Sequence, residues 1–566
     1  MKFVFLLLVF VACSLNKKTN ERAQGHYRLY SAPEAEELSA LAKNEKRLVI
    51  VATNDLKGQL EARTLEASDK HSPEKTLIPV GGAEIFARYM EILRQKHPNG
   101  LFLVDAGNSL SGTLISRASG ARSVLQFFQE LRFDAIGLSL EDLAAGPGLK
   151  LPLSPRAWMP DLFRGDKLPV VVSNLIDLKT TAPVEWGQTT AQLLKSVNGV
   201  QVGVVGLLAD ELPTKLDAGV LNGLYVEPAL QAFLKQTRSL RLKGAEVLVL
   251  LMHGGIKCGV KRAEERSLPV SKVNFDPRDP EACASESAVA RFISQLPPGS
   301  VDVVITGGAN QKVANFINGI PVIQAMGQGG SFARVDLVWD SDKKALDAEK
   351  TQIHQPVMLC RRFFKASEDC YTEDTTIDHR LITPARFLGE EVFPDAKTAL
   401  WMNDWRQEMG RHHRPILDHD NPSLVLESVS QAILNMNVAD AAVVGGINWR
   451  LALPKGVTTW KDLFSQKNAR ESVQRLTLKG GDLATLRSSL QQVSWAHHLN
   501  WEILEAREQV TLLVNGSLAS TIQKLAEVTL QEHMPMLVAD GLVPWEVDSV
   551  NVGLSGRAPA LPHTQP

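Results

Sequence analysis

No excess of either charge marks this chain: 61 Lys and Arg stand against 63 Asp and Glu, a formal net charge of -2 over 566 residues. A nucleic-acid partner would call for a basic surplus, so that class of function is set aside. Aromatic residues are sparse, and no apolar run approaches the roughly 20 residues a helix needs to span a bilayer. Cysteine is limited to five residues with no CxxC spacing, which removes the common structural zinc clusters. What is present, 44% hydrophobic and 22% charged residues, is ordinary for a globular protein. The length exceeds one typical core, so two domains are expected.

Met1-Lys2 precedes an apolar run from Phe3 to Ala12, then Cys13, and the chain turns polar at Ser14. That abrupt change reads as a bacterial lipoprotein signal over residues 1–12, with Cys13 lipidated, in preference to a secretory signal with an incidental cysteine. The expected location is the cell envelope, periplasmic or at the outer membrane, with the membrane reached through the lipid. Residues 13–45 read as a tether with a short helix over Pro33–Lys46. The other four cysteines allow three pairings, and the local ones, Cys258–Cys283 and Cys360–Cys370, are expected in an oxidising compartment.

The stretch Arg47–Leu60 begins with a continuous apolar run, Leu48–Ala52, that stops at Thr53-Asn54-Asp55. A strand buried on both faces looks like this, and function in parallel sheets gathers where strands end. Further strands are expected at Leu101–Val104, Ala135–Leu138, Val170–Val172, Val202–Leu207, Val247–Met252, Val301–Ile305 and Ile320–Ile323. Helices at Ala83–Gln95, Ala121–Leu131 and Pro228–Leu242 alternate with them, which argues an α/β layered fold. The first domain is assigned to residues 46–355. A connector over 356–413 holds the Cys360–Cys370 and Pro384–Pro394 stretches and a linker helix at Asp395–Arg411. A second α/β domain follows over 414–555, with a strand at Ala441–Val444 and helices at Pro422–Asn435 and Ser517–Leu530, and then a tail over 556–566.

Several strand-end segments together resemble the 5'-nucleotidase and UDP-sugar hydrolase family of two-domain, calcineurin-like metallophosphoesterases. T-N-D-L-K-G (53–58) is similar to T-N-D-x-H-G, and V-D-A-G-N-S-L-S-G (104–112) to D-A-G-D-x-x-x-G. F-D-A-I-G-L-S-L-E-D-L-A-A-G (133–146) matches the frame of the G-N-H-E segment. L-L-M-H-G-G (250–255) keeps H-x-G, and V-D-V-V-I-T-G-G-A-N-Q (301–311) falls where G-H-x-H belongs. V-V-G-G-I-N-W-R (443–450) resembles N-G-G-I-R of the family's C-terminal substrate domain. The resemblance implies a metallophosphoesterase-like sheet domain and a 5'-nucleotidase-type substrate domain. It also implies hydrolysis of phosphoric esters with two divalent metal ions.

The ligand set departs from that pattern. Asp55 and His253 remain as candidate ligands and Asn108 stands where the family has its bridging aspartate, so the three are vestigial metal positions. Lys57 replaces a histidine, Leu140 an asparagine, Glu141 the catalytic histidine, and Gly308 and Asn310 both histidines of G-H-x-H. No histidine lies between His253 and His354 to recover them in a shifted frame. In the substrate domain Gly446 persists, Asn448 replaces the phosphate-anchoring arginine with Arg450 nearby, and Asp540 lacks its following aromatic, with Trp545 better read as core. Lys57 is expected to supply the positive charge Asp55 once took from metal, with Glu141 joining. His412-His413 and His497-His498 diverge on any regular element and read as surface residues, while Ser109 and Ser111 read as loop caps rather than nucleophiles.

The expectation is therefore a lipid-anchored member of the family with an eroded site and no cofactor, holding a nucleotide-like ligand or a protein partner without catalysis. The alternative is an active secreted phosphohydrolase on nucleotides or related phosphate esters.

Overall fold

A computed structural model describes residues 40–69, 72–144, 154–165, 168–210, 220–258, 277–278, 283–365, 369–371 and 378–410. It also describes the backbone of six further strands between residues 415 and 536. The chain falls into two compact units, the first holding most residues up to Asn403 and the second most of those from Asp404 onward.

Two large sheets form the centre of the first unit. One has the order Ala345–Leu346, Ser331–Asp340, Glu45–Thr53, Leu101–Asp105, Ala135–Gly137, Val170–Val171 and Thr189–Thr190, with Gln352–Met358 also pairing on Ser331–Asp340. The other runs Leu193–Val197, Val200–Leu208, Val247–His253, Val303–Gly307, Ile320–Gln324 and Val313–Ile317. The central strands of both sheets are parallel.

Alternate side chains of each strand explain the layering. Leu48, Ile50 and Ala52 of the Glu45–Thr53 strand join Val202, Val204, Val249, Leu251 and Ile305 of the second sheet in one buried cluster between the sheets. Leu248, Leu250 and Met252 face the other way, onto helices Ala229–Leu242 and Ala288–Ser294. On the outer side of the first sheet, Phe86 and Tyr89 of helix Ala83–Lys96 pack with Phe127, Phe133, Phe332 and Phe387 at ring separations of 5.0–6.3 Å. Both faces of both sheets are covered, so the central strands read as unbroken apolar runs.

The sheets touch closely at one glycine. A Cβ at Gly206 would lie 2.0 Å from the Val171 carbonyl oxygen, and the Gly206 carbonyl accepts from Ser173 N at 2.7 Å.

Three expectations change in the first unit. Glu45 and Lys46, assigned to a helix, are strand, paired with Asp340 and Trp339. The stretches read as connectors contain a small three-stranded sheet, Arg362–Phe364, Ile382–Phe387 and Glu390–Val392, because Phe364, Ala385 and Phe387 have a core to enter. A hairpin, Ala62–Asp69 with Ser72–Gly81, stands where no element was expected. Both disulfides form as expected, Cys258 with Cys283 and Cys360 with Cys370.

In the second unit, Pro415–His419 pairs with Gly456–Thr459, and a four-stranded sheet has the order Ala441–Val443, Val510–Asn515, Ser472–Leu478 and Thr529–Met536. Thr529 and Leu530, expected from the sequence to be helical, belong to that last strand.

Candidate functional site

The carboxyl ends of four parallel strands meet at one edge of the first unit: Thr53 beside Asp105 in one sheet, His253 beside Gly307 in the other. Asp55 follows the first strand and lies fully inside the protein. Its Oδ1 is 2.9 Å from His253 Nε2 and accepts from Asn108 Nδ2 at 2.7 Å. Its Oδ2 accepts from Asn54 Nδ2 at 2.9 Å and from the Gly308 main-chain N–H at 2.6 Å. Lys57 Nζ is farther, 4.0 Å from Oδ1, on a side chain that is 41% exposed. The nearer cation for Asp55 is thus the histidine, and Lys57 is the second. Burial alone would raise the Asp55 carboxyl, but His253, Asn54 and Gly308 outweigh it and hold it well below the usual carboxylate range.

His253 is as deeply buried as its partner. Burial pushes its imidazole down, yet the Asp55 hydrogen bond and the charges of Asp55, Glu141 and Asp142 raise it overall, which favours the imidazolium. Its Nδ1 has no hydrogen-bond partner and lies 3.6 Å from Glu141 Oε2, a half-exposed carboxylate. Glu141 therefore stands by the histidine, not by Lys57.

Behind this pair two buried acids organise the loop after Leu101–Asp105. Asp142 Oδ2 accepts from Asn108 N at 2.6 Å and Ser139 N at 2.9 Å, while Oδ1 accepts from Ser109 N and Leu110 N, both at 2.9 Å. Asp105 accepts from Thr53 Oγ1 at 2.6 Å, and from Gly107 N and Ser109 Oγ, each at 2.8 Å. Complete burial, with the Asp142 charge adding, pushes Asp105 up to about 7 in spite of those bonds, and burial raises Asp142 as well. Ser109 is accordingly a loop cap, donating to Asp105 and accepting from Leu56 N at 3.3 Å.

Backbone conformation is unusual at the same edge. Asp55, Lys57 and Asn108 have φ values of 49°, 50° and 59°, in the left-handed region. The loops interlock there: Asp55 N donates to Gly107 O at 2.9 Å, Lys57 N to Asn108 O at 3.0 Å and Gly58 N to Ser109 O at 2.9 Å. Gly308, at φ +105°, would bring a Cβ to 3.3 Å from both Gly255 N and His253 Cε1. Asn310 is also left-handed, at φ 49°, and Leu140 is buried and apolar.

The fold thus gathers Asp55, Lys57, Asn108, Glu141, His253 and Gly308. Asp302 is a strand-end cap, accepting from Leu248 N at 2.7 Å and pairing with Arg241 at 3.2 Å, and Trp401 is buried. Cys13, His412, His413, Gly446, Asn448, Arg450, His497, His498, Asp540 and Trp545 lie outside the described residues. Sequence reasoning missed the anchoring work of Asn54, Asp105 and Asp142. All three lie inside the quoted motifs, and only their partners, most of them distant in sequence, reveal the role.

Two dications need several anionic or neutral lone-pair donors each. The donor set here is one carboxylate, one imidazole and one amide, with an ammonium 4.0 Å from the carboxylate. Among the described residues no three His, Cys, Asp or Glu side chains converge as metal ligands. The residues present do not fit a two-metal centre.

No family model matches the chain. It is 28% identical over 211 residues to a 5'-nucleotidase of Rattus norvegicus, covering 37% of this chain and 34% of that protein. It is 27% identical over 306 residues to a snake venom 5'-nucleotidase of Naja atra, covering 54% and 53%. The matches thus span between a third and about half of those relatives' lengths. Among solved structures, a 5'-nucleotidase precursor from Thermus thermophilus superposes with a TM-score of 0.52 at 18% identity, covering 90% of this chain and 99% of that one, a likeness of fold.

Proposed function

We propose that this chain, which belongs to the 5'-nucleotidase family, is a non-catalytic member that keeps the fold and has replaced metal chemistry with an internal ion pair. One observation carries the reading: both oxygens of the Asp55 carboxylate take their hydrogen bonds from protein groups, with His253 supplying the charge. A carboxylate so engaged is not free to bridge or polarise, and the positions around it, Lys57, Leu140, Gly308 and Asn310, offer no replacement lone pairs in the right number. The remaining role is binding, scaffolding or sensing, with a nucleotide-like molecule or a protein as partner.

The same reading puts the protein in the cell envelope, anchored by a lipid on Cys13. Two disulfides suit an oxidising compartment. Cys13→Ser should release the protein from the membrane fraction, and radiolabelled palmitate should mark the wild type alone.

The deciding experiment is a turnover assay of purified protein with nucleoside monophosphates and UDP-sugars over a panel of divalent metals. No metal-dependent hydrolysis is expected. Turnover that disappears in Asp55→Ala or His253→Ala would sink the reading. Saturable nucleotide binding without turnover would narrow it to a sensor.

A further inference from the structure

Helix Ala229–Leu242 covers the outer side of the second sheet and leaves its own outer side to solvent. Inward, Ala232, Phe233 and Leu240 are buried, together with Gln236 and Thr237. Outward, at about 100° per residue, Arg241, Leu234, Arg238, Gln231, Leu242 and Lys235 fall within one arc of roughly 120°. All six are exposed.

Charge is the first property of that arc. The helix has no aspartate or glutamate, so Lys235, Arg238 and Arg241 meet no acid on their own element, and Lys243 at its C-cap is exposed as well. The neighbouring helix Ala288–Ser294, joined to it by Phe292 on Phe233 at 5.6 Å, is also free of acids and exposes Arg291. Of the acids nearby in sequence or contact, Asp302 is paired with Arg241 at 3.2 Å, Glu246 accepts from Gln201 N at 2.8 Å, and Glu286 precedes the second helix. The second property is apolar surface among the cations. Leu242 is 82% exposed, the most of any large apolar side chain among the described residues, and Leu234 is 40% exposed. Cationic heads on apolar stems, set beside leucines, suit a phospholipid surface: the heads meet lipid phosphate and the leucines enter the boundary beneath it. An acidic protein fits less well, because lysine is depleted at protein–protein interfaces.

We propose that this arc is a docking face for an anionic phospholipid bilayer, held by Lys235, Arg238, Leu234 and Leu242. It sets which side of the first unit meets the membrane. A lipid on Cys13 does not set it: at about 3.3–3.6 Å per residue, the stretch from Cys13 to residue 40 reaches at most about 90–100 Å and leaves orientation open. The face acts with or without that lipid, and it is independent of whether the strand-end site is catalytic.

The test is co-sedimentation with vesicles, using the full chain from residue 13 with Cys13→Ser so that no lipid contributes. One vesicle set is phosphatidylglycerol and phosphatidylcholine in equal parts, the other phosphatidylcholine alone. Binding should be about tenfold or more tighter to the anionic set and should weaken as salt rises. Lys235→Gln/Arg238→Gln should weaken it about tenfold, while Lys235→Arg/Arg238→Lys should keep it. Leu242→Ser should weaken it roughly fivefold at low and high salt alike. Every substituted side chain on the helix is exposed, so thermal melts of the variants should match the parent. Equal binding to both vesicle sets, no binding by the folded protein, or undiminished binding by Lys235→Gln/Arg238→Gln overturns the proposal. Binding that needs the cations but ignores Leu242→Ser overturns it too, and assigns the face to an acidic protein partner instead.

Discussion

Asp142 accepts main-chain N–H groups from Asn108, Ser109, Leu110 and Ser139, four donors gathered on one carboxylate. Asn at this position keeps the shape but turns an acceptor into a donor. Asp142→Asn should lose about 2–4 kcal/mol in urea unfolding, from one or two buried N–H groups left unpaired. Asp336 offers a pH test away from the site. Burial would raise it, but His354 at 3.3 Å and the paired Arg334, with bonds of 2.7 and 2.8 Å, bring it down to about 2. A depressed carboxyl contributes stability that is complete above its ordinary value and lost as pH falls through its folded value. Wild type should therefore lose on the order of 2 kcal/mol between about pH 4 and pH 2 that Asp336→Asn does not lose, as followed by chemical denaturation at each pH.

Strands and loops were legible in the sequence to different degrees. The run Leu48–Ala52 and its stop at Asp55 announced the central strand, because a strand covered on both faces must be apolar at consecutive positions. The Ala62–Asp69 hairpin and the strands at Arg362–Phe364 and Ile382–Phe387 went unseen. Their pairing, not local propensity, makes them strands. At the site, the motif positions were legible as a set, and their mutual geometry was not. That His253 rather than Lys57 is the first cation on Asp55 depends on two sheets meeting, 198 residues apart in sequence. The contact between sheets gives an element-scale prediction. Gly206→Ala would drive a methyl into the Val171 carbonyl, and overpacking of this kind costs roughly 1–3 kcal/mol, or more where backbone cannot retreat. A thermal melt should show a clear drop in Tm, while alanine at exposed Gly244, despite its own positive φ, should do less.

For the molecule as a whole, the cross-links matter because they restrict the unfolded chain. Cys258 follows the His253 strand by five residues, and its bond to Cys283 closes a loop of sequence separation 25. Constraining a loop of that length stabilises a fold by about 3 kcal/mol in the chain-entropy account. Reduction with dithiothreitol should lower Tm measurably, and mass spectrometry of the unreduced protein should find both pairs with no free thiol among Cys258, Cys283, Cys360 and Cys370.

The left-handed turns at Asp55, Lys57 and Asn108 bear on which substitutions the edge can accept. Aspartate and asparagine tolerate that conformation readily. There, a change of side chain is a matter of substitution alone. Gly308 is different: at φ +105° and against His253, a histidine placed there would need the main chain itself to move, at a cost of about 1–3 kcal/mol. One half of the edge is thus open to side-chain exchange by point mutation, and at the other the backbone itself dictates the residue.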